Sequence, residues 1–358
     1  MMGKTTLRIL YLNAENLFSP NEPFYNSPGY SDEDYLQKIN WISSIIAFAD
    51  VDVVALTEIG DNARSCIDDI VAVINVQNPK KAIQDTFIAR PCAGWPKIRA
   101  AVLSRFPISD TGSLASFPRG FKVDLHDLGT AEGDRENWVS IPIREYSRPV
   151  AKARINPPNN ATPFNLFVVH LKSKRPTISP AHDGDNTQNN EAIGAARAAI
   201  RRNMEAAALR VYLNTFLVEQ FDADNKIPTI VLGDFNETPT SVPLENIRGP
   251  FDRDPGPSSP WTRNDKLSLL TCARLHLRKG AYEDKLYSYI HEESFSLIDQ
   301  VLVTKHLIGK FKHMEVLNDH VMRHQELKTS VTDDDRKWKS IVSDHGAVVL
   351  EFTRMLRP

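Results

Sequence analysis

Residues 341–352 read IVSDHGAVVLEF. An apolar pair leads in, an apolar run leads out, and between them stand Ser343, Asp344 and His345. Ser-Asp dipeptides favour turns because their side chains bond the local backbone, so one reading is a turn. The other is half of an acid–base site placed where a buried strand begins. Nothing within the twelve residues separates the two readings, so the decision rests on whether such interruptions recur.

They do. LRILYLN (7–13) reads as a buried strand ending on Asn13, and VDVVALTEI (51–59) as one running out at Glu58. PFNLFVVHLKSK (163–174) carries His170 at its end. IPTIVLGDFNETP (227–239) breaks at Gly233 before Asp234 and Asn236, and SFSLIDQVLVT (294–304) holds Asp299. Sites in α/β sheets assemble at strand ends and in the loops beyond them. Singly, each residue has a plainer reading: Asn13 a turn residue, Glu58 a solvated acid, His170 a hydrogen-bonded core histidine. GDFN is harder to set aside. Gly233 permits a sharp turn, and Asp234 and Asn236, two apart, point the same way from an extended chain.

The remaining pattern alternates strands with helices. SDEDYLQKINWISSIIAFAD (31–50) opens with Ser31 and three acids, which suit a helix N-terminus, and Tyr35, Ile39, Ile42 and Ile46 recur at helical spacing. Another helix is expected near 62–77, and strands at 85–90, 99–108 and 148–156. The longest helix is expected over 191–220, with Ile193, Ile200, Met204, Ala208 and Val211 inward and Arg197, Arg201 and Arg202 on the opposite face. Residues 109–140, 175–190 and 249–264 read as loops or short strands, with Phe117, Phe121, Trp138 and Trp261 among the loop aromatics. Strands apolar on both faces imply sheets covered on both sides, hence an α/β chain. No internal repeat or low-complexity linker divides it, so one domain over 1–358 is expected.

At 358 residues, 41% hydrophobic and 25% charged, the composition is ordinary for a globular protein. A chain this long buries about 75% of its unfolded surface and needs no disulfide staples. Cys66, Cys92 and Cys272 have no metal-ligand spacing and read as buried thiols. No run approaches the ~20 apolar residues of a membrane span, and the N-terminal apolar stretch is too short for a signal segment, so a soluble, cytoplasmic protein is expected. A net charge of −2 excludes a dedicated nucleic-acid coat protein. An enzyme handling one phosphate at a time needs only local positive potential, which a bound metal can supply.

The strand-end residues make one chemical demand. Carboxylates around an amide suit a hard divalent cation such as Mg²⁺ or Mn²⁺, and two histidines supply donors to a growing negative charge. That collection suits attack of water on a phosphate ester. In order along the chain, NAENLF, ALTEI, LSRFPI, VVHLKSK, GDFNETP, LIDQVLV and SDHGAVVLEF closely resemble the endonuclease/exonuclease/phosphatase superfamily, from about residue 8 to 353. The resemblance implies a four-layered α-β-β-α sandwich, two mainly antiparallel sheets flanked by helices, where periodicity alone left a parallel sheet open. It implies Glu58 as main metal ligand with Asn13 beside the metal and Asp344 joining it. Asp234 would orient or deprotonate water, Asn236 would hold the scissile phosphate, and His170 would bond a phosphate oxygen. His345 would face the phosphate as a cation oriented by Asp299. Arg105, Arg148 and Lys172 are further candidates for substrate contact, each with an ion-pair or solvated alternative, and Glu15 falls where relatives carry an acid near the metal. Mg²⁺ is the expected cofactor, with Mn²⁺ substituting and Ca²⁺ an alternative.

Within that superfamily, the motifs look closest to nucleases, so a nucleic acid, DNA or RNA, is the expected substrate. No protein partner is implied. A lipid or small-molecule phosphodiester is the alternative, and a catalytically dead binding scaffold is a third reading that the intact motif set disfavours.

Overall fold

The computed structural model describes residues 6–93, 97–126, 138–158, 161–179, 187–222, 227–250, 264–280, 286–327 and 332–353. The expected loop segment 180–186, most of 249–264 and Trp261 lie outside them, as does the side chain of Trp138. Two six-stranded sheets form the centre. The first contains β1 (Thr6–Leu17), β2 (Val53–Ile59), β3 (Asp85–Ile88), β4 (Arg99–Ser104), β15 (Phe311–Leu317) and β16 (Ala347–Thr353), ordered β15-β16-β1-β2-β4-β3. The second contains β5 (Ile108–Ser116), β8 (Glu145–Ile155), β9 (Phe164–His170), β10 (Thr229–Asp234), β11 (Leu269–Thr271) and β14 (Asp299–Thr304), ordered β11-β14-β10-β9-β8-β5. Two short hairpins, β6 (Asp124–His126) with β7 (Trp138–Ser140) and β12 (Tyr289–His291) with β13 (Ser294–Ser296), stand apart.

Each sheet is antiparallel except at its middle, where β1 runs parallel to β2 and β9 parallel to β10. Parallel neighbours bring two C-terminal ends to one edge. Asn13 and Glu58 therefore meet in one sheet, and His170 stands directly beside Asp234 in the other. The antiparallel partner β14 begins there, setting Asp299 opposite Asp234.

Side-chain alternation then aims the polar ends. Ile9 and Tyr11, Leu166 and Val168, Ile230 and Leu232, and Val301 and Val303 all belong to the core between the sheets. With a period of two, Asn13, His170, Asp234 and Asp299 continue that inner face at its rim. Glu58 breaks parity, since Val54 and Leu56 face the helices. A register irregularity between Leu56 and Ile59 and a left-handed φ of 61° at Glu58 turn its carboxylate inward.

The outer faces carry the helices, completing four layers. Helices α1 (Asp32–Ala49) and α2 (Ala63–Gln77) cover the first sheet through Ile39, Ile42, Ile46, Ile67 and Ile70. Ser31 caps α1, its hydroxyl accepting from the Asp34 amide at 3.1 Å ahead of Asp32, Glu33 and Asp34. Helices α3 (Thr187–Asp222) and α4 (Val242–Arg248) cover the second sheet through Met204, Leu209, Leu213 and Ile247. Shorter helices follow: α5 (Cys272–Leu277), α6 (Asp319–Glu326) and α7 (Asp333–Ile341).

The expected faces of the long helix hold for Met204 and Ala208, which are buried, and need correction elsewhere. Ile193, Ile200 and Val211 are 46%, 45% and 42% exposed, whereas Arg202 and Glu205 are buried. The buried stripe is built from Ala198, Ala206, Ala208 and Leu209 with polar residues that satisfy loop backbone. Glu205 accepts from the amides of Ser147 (2.7 Å) and Lys172 (2.8 Å). Arg202 pairs with Glu237 and reaches the Lys172 carbonyl. Small residues let the helix approach closely, and buried loop amides select a charge over an isoleucine.

Gly233 is the most crowded of the described glycines. A Cβ there would lie 1.9 Å from the Val169 carbonyl oxygen, and φ is +147°. Gly233→Ala is expected to destabilise the protein by roughly 3 kcal/mol through overpacking and backbone strain. Urea unfolding reads this, and a loss below ~1 kcal/mol would contradict the close approach.

Candidate active site

The strand ends converge on the carboxylate of Asp234, which is buried. Its Oδ1 accepts from the Asn236 amide at 2.7 Å. Its Oδ2 accepts from Asn236 Nδ2 at 3.1 Å and Asn13 Nδ2 at 3.2 Å, and lies 3.5 Å from His170 Nε2 and 4.0 Å from His345 Nε2. Burial pushes its pKa up to about 7, against the pull of His345.

Glu58 completes one side. Its Oε1 accepts from Asn13 Nδ2 at 3.1 Å and stands 3.7 Å from His170 Nε2, while Oε2 accepts from the Asn16 amide. Glu58, His170 and Asp234 each offer a ligand atom within 4.8 Å of the others. Burial, helped by Arg148, His345 and Lys172, holds the His170 pKa well below the ordinary histidine range, and its buried Nδ1 has no hydrogen-bond partner among the described residues.

On the other side, His345 Nδ1 meets Asp299 Oδ2 at 2.8 Å. Burial pulls the imidazole pKa down, yet Asp299, Asp344 and Asp234 hold it well above the ordinary value. Its Nε2, turned away from Asp299, faces Asp234 and lies 3.8 Å from Asp344 Oδ1. Asp234, Asp299 and His345 form a second group of potential ligand atoms within 4.8 Å. The two histidines are thus prepared differently, one neutral and one cationic, with Asp234 common to both.

The two asparagines are engaged with the carboxylates. Both amide hydrogens of Asn13 go to carboxylates, and its Oδ1 accepts from the Glu15 amide, so it ties Glu58 to Asp234. Asn236 directs its Nδ2 to Leu171 O (3.0 Å) and Asp234, so its amide braces the acid. Asp344 is in neither ligand group among the described residues. Its amide donates to Glu15 Oε2 at 2.8 Å, and burial, then Glu15, raises its pKa to about 7.

The basic candidates divide. Arg105 sits just past β4 at the opposite edge of the first sheet from Glu58, paired with Asp52 at 3.3 Å and Asp50 at 3.7 Å; the ion-pair alternative is the one formed. Arg148 Nη1 donates to the Leu171 carbonyl beside His170. Lys172 donates to Ser173 and Arg175 carbonyls, and burial with Arg148 nearby lowers its pKa to about 8. These two place positive potential at the rim.

Sequence reasoning missed the supports beneath these groups: Ser343, whose hydroxyl donates to the Asn13 carbonyl at 2.8 Å, and His320, His324 and Glu205. The four-residue spacing in HVMRH (320–324) was the available signal, since such residues share a helix face.

A family model described as the Endonuclease/Exonuclease/phosphatase family matches residues 26–345. The chain belongs to that family. Its members hydrolyse phosphoric esters. No curated protein matches. Among solved structures, the human Nocturnin catalytic domain with bound sulfate is 14% identical, covering 98% of this chain and 95% of its own, with a TM-score of 0.52. A family protein from Leptotrichia buccalis is 14% identical over 97% and 99%, TM-score 0.48. D. rerio TDP2 complexed with single strand DNA product is 13% identical over 98% and 99%, TM-score 0.49. At these identities the likeness concerns the fold.

The donor set fits a divalent cation. Glu58 and Asp234 place two oxygens on a single amide group, and the nearest imidazole is held neutral, so cation binding would supply charge that the hydrogen bonds lack. A measurable consequence follows from Asp234. Its folded pKa of about 7 exceeds the ordinary 3.8, so the folded state holds the extra proton, and stability falls as pH rises from about 4 through 7. In EDTA, Asp234→Asn should therefore gain in Tm relative to wild type between pH 4.5 and 8. Mn²⁺ at pH 8 should raise the wild-type Tm and leave the variant nearly unmoved. An unchanged difference across pH, or no Mn²⁺ effect on wild type, would contradict the fit.

Proposed function

We propose that the chain is a divalent-metal-dependent phosphodiesterase whose substrate is a nucleic acid, cleaved by attack of water on the phosphodiester. The observation that carries the reading is the pair of unlike histidines sharing Asp234: neutral His170 on the Glu58 side, cationic His345 on the Asp299 side. The nuclease motifs and the family match support the substrate class.

Glu58, with Asp234 adjoining, would hold Mg²⁺ or Mn²⁺. When bound, the cation would neutralise phosphate charge and lower the barrier to nucleophilic approach. Asp234, fixed by Asn236 and Asn13, would accept a hydrogen bond from the attacking water and take its proton as the new P–O bond forms and the P–O bond to the leaving oxygen breaks, the leaving alkoxide taking its proton from solvent. The raised pKa of Asp234 favours this transfer. His345, kept protonated by Asp299, would donate from Nε2 to a non-bridging oxygen that gains charge in the transition state. His170 would donate its Nε2 proton to the same phosphate from the other side. Its low pKa keeps it a neutral donor that does not compete for the cation's charge. Arg148 and Lys172 would draw the flanking backbone to the rim, giving a modest, salt-sensitive affinity.

The test is cleavage of supercoiled plasmid and single-stranded DNA in Mg²⁺ or Mn²⁺, with His170→Ala and His345→Ala purified in parallel. Wild type should cleave, EDTA should abolish cleavage, and each variant should lose at least ~100-fold in turnover while remaining folded. Full activity in either variant would overturn its role. Hydrolysis of bis-p-nitrophenyl phosphate without nucleic-acid cleavage would move the substrate to a small-molecule or lipid diester, and inactivity on every substrate would leave a binding scaffold.

A further inference from the structure

The catalytic His345 is approached from behind by a helix that the proposed chemistry does not use. His320 and His324, one turn apart on α6, face the same side. His320 Nε2 lies 2.8 Å from the His345 carbonyl oxygen. His324 Nε2 lies 3.5 Å from Glu15 Oε2 and 3.4 Å from the Lys339 carbonyl. Glu15 Oε2 in turn accepts the Asp344 amide at 2.8 Å. Each Nε2 meets only oxygen acceptors among these contacts, so each carries its proton and donates. One helical turn therefore grips two peptide units of the SDH loop, His345–Gly346 through the His345 carbonyl and Ser343–Asp344 through Glu15 and the Asp344 amide.

The grip is itself anchored. The Trp41 ring on α1 meets His320 edge-on at 5.2 Å, and the Trp338 ring on α7 lies 6.0 Å from His324 with Arg323 over its face at 4.7 Å. Asn318 donates to the Tyr287 carbonyl at 2.8 Å and Gln325 to the Glu292 carbonyl at 2.7 Å. The buried Lys38 of α1 donates to the carbonyls of Ser340 and Ile341, the last residues before the loop. Beyond these contacts the loop is held by Ser343, by the Asp299–His345 bond and by the Gly346 amide, which donates to the Ser288 carbonyl at 2.7 Å. Asp299 and Asp234 sit on the second sheet, whereas the loop leads into β16 of the first, so the imidazole must span the gap between layers. A backbone shift of a few tenths of an ångström at residue 345 is carried directly to Nε2.

We infer that His320 and His324 are positioning residues of the active site: α6 sets the backbone of Asp344 and His345 so that the His345 imidazole is delivered at a fixed angle to Asp299 and the substrate. This rests on the proposed hydrolytic function, yet the grip itself is measurable without activity.

The experiment uses the full chain and bis-p-nitrophenyl phosphate in Mn²⁺, with hydrogen exchange of the peptide spanning 342–346 as second readout. His320→Ala should lower kcat by at least ~10-fold with KM changed less than ~2-fold, and should speed exchange in 342–346. His320→Gln, whose amide can still donate to the carbonyl, should recover most of the loss. In a His345→Ala background, adding His320→Ala should cost less than ~2-fold, because the residue acts through the imidazole already removed. A wild-type kcat in His320→Ala, or an equal loss in both backgrounds, would overturn the inference. If the wild type hydrolyses nothing, the function fails on its own, and exchange still decides the grip: faster exchange supports it and unchanged exchange overturns it.

Discussion

The carboxylate of Asp234 is buried at the rim of the inter-sheet core, and nearly every feature of the site is arranged around that fact. Alone, an ionised carboxylate so deeply desolvated would cost several kcal/mol. Two asparagines, a backbone amide and two imidazoles surround it instead. The position follows from the chain's topology. A parallel pair at the middle of each sheet carries two strand ends to one edge, and Gly233 lets β10 pass close enough to β9 for Asp234 to stand beside His170. Fold and site thus share one constraint, and a side chain at Gly233 would disturb both.

The same geometry separates two histidines that sequence alone treats as equals. His170 lies on the buried end of a strand with arginine and lysine near it, and both burial and charge favour the neutral ring. His345 has burial against it and three carboxylates for it, and the carboxylates win. A pair of titratable groups driven apart by their surroundings marks an acid–base division of labour, with Asp234 between them to couple the two halves.

Much of this was legible in the residues. The polar interruptions of apolar strands mark Asn13, Glu58, His170, Asp234, Asp299 and His345, because alternation forces a polar residue at a strand's buried end to have a purpose. Pairing direction was not legible: an apolar run reads the same in parallel and antiparallel sheets, and only the motif resemblance indicated a sandwich. The long helix misled for a different reason. Hydrophobicity places isoleucines inward, whereas close packing selects alanines and the loop amides of Ser147 and Lys172 select Glu205. Arg105 lay within a shared motif yet pairs with Asp52 at the far end of the sheet, since a motif reports similarity in sequence and not which edge a residue faces. Nor could spacing reveal that the Asn236 amide is already engaged with Leu171 and Asp234.

In the proposed function Asp234 would join His170 and His345 into one catalytic unit, not two independent contributors. Groups acting as a unit are strongly non-additive when removed together. The direct measurement is a double-mutant cycle on the rate of phosphodiester hydrolysis with His170→Ala, His345→Ala and the combination. Coupling through Asp234 would leave the double variant no more than ~10-fold slower than the slower single variant. Penalties that multiply in full, to about the product of the two single losses, would contradict it and leave the histidines as separate aids around an uncoupled acid.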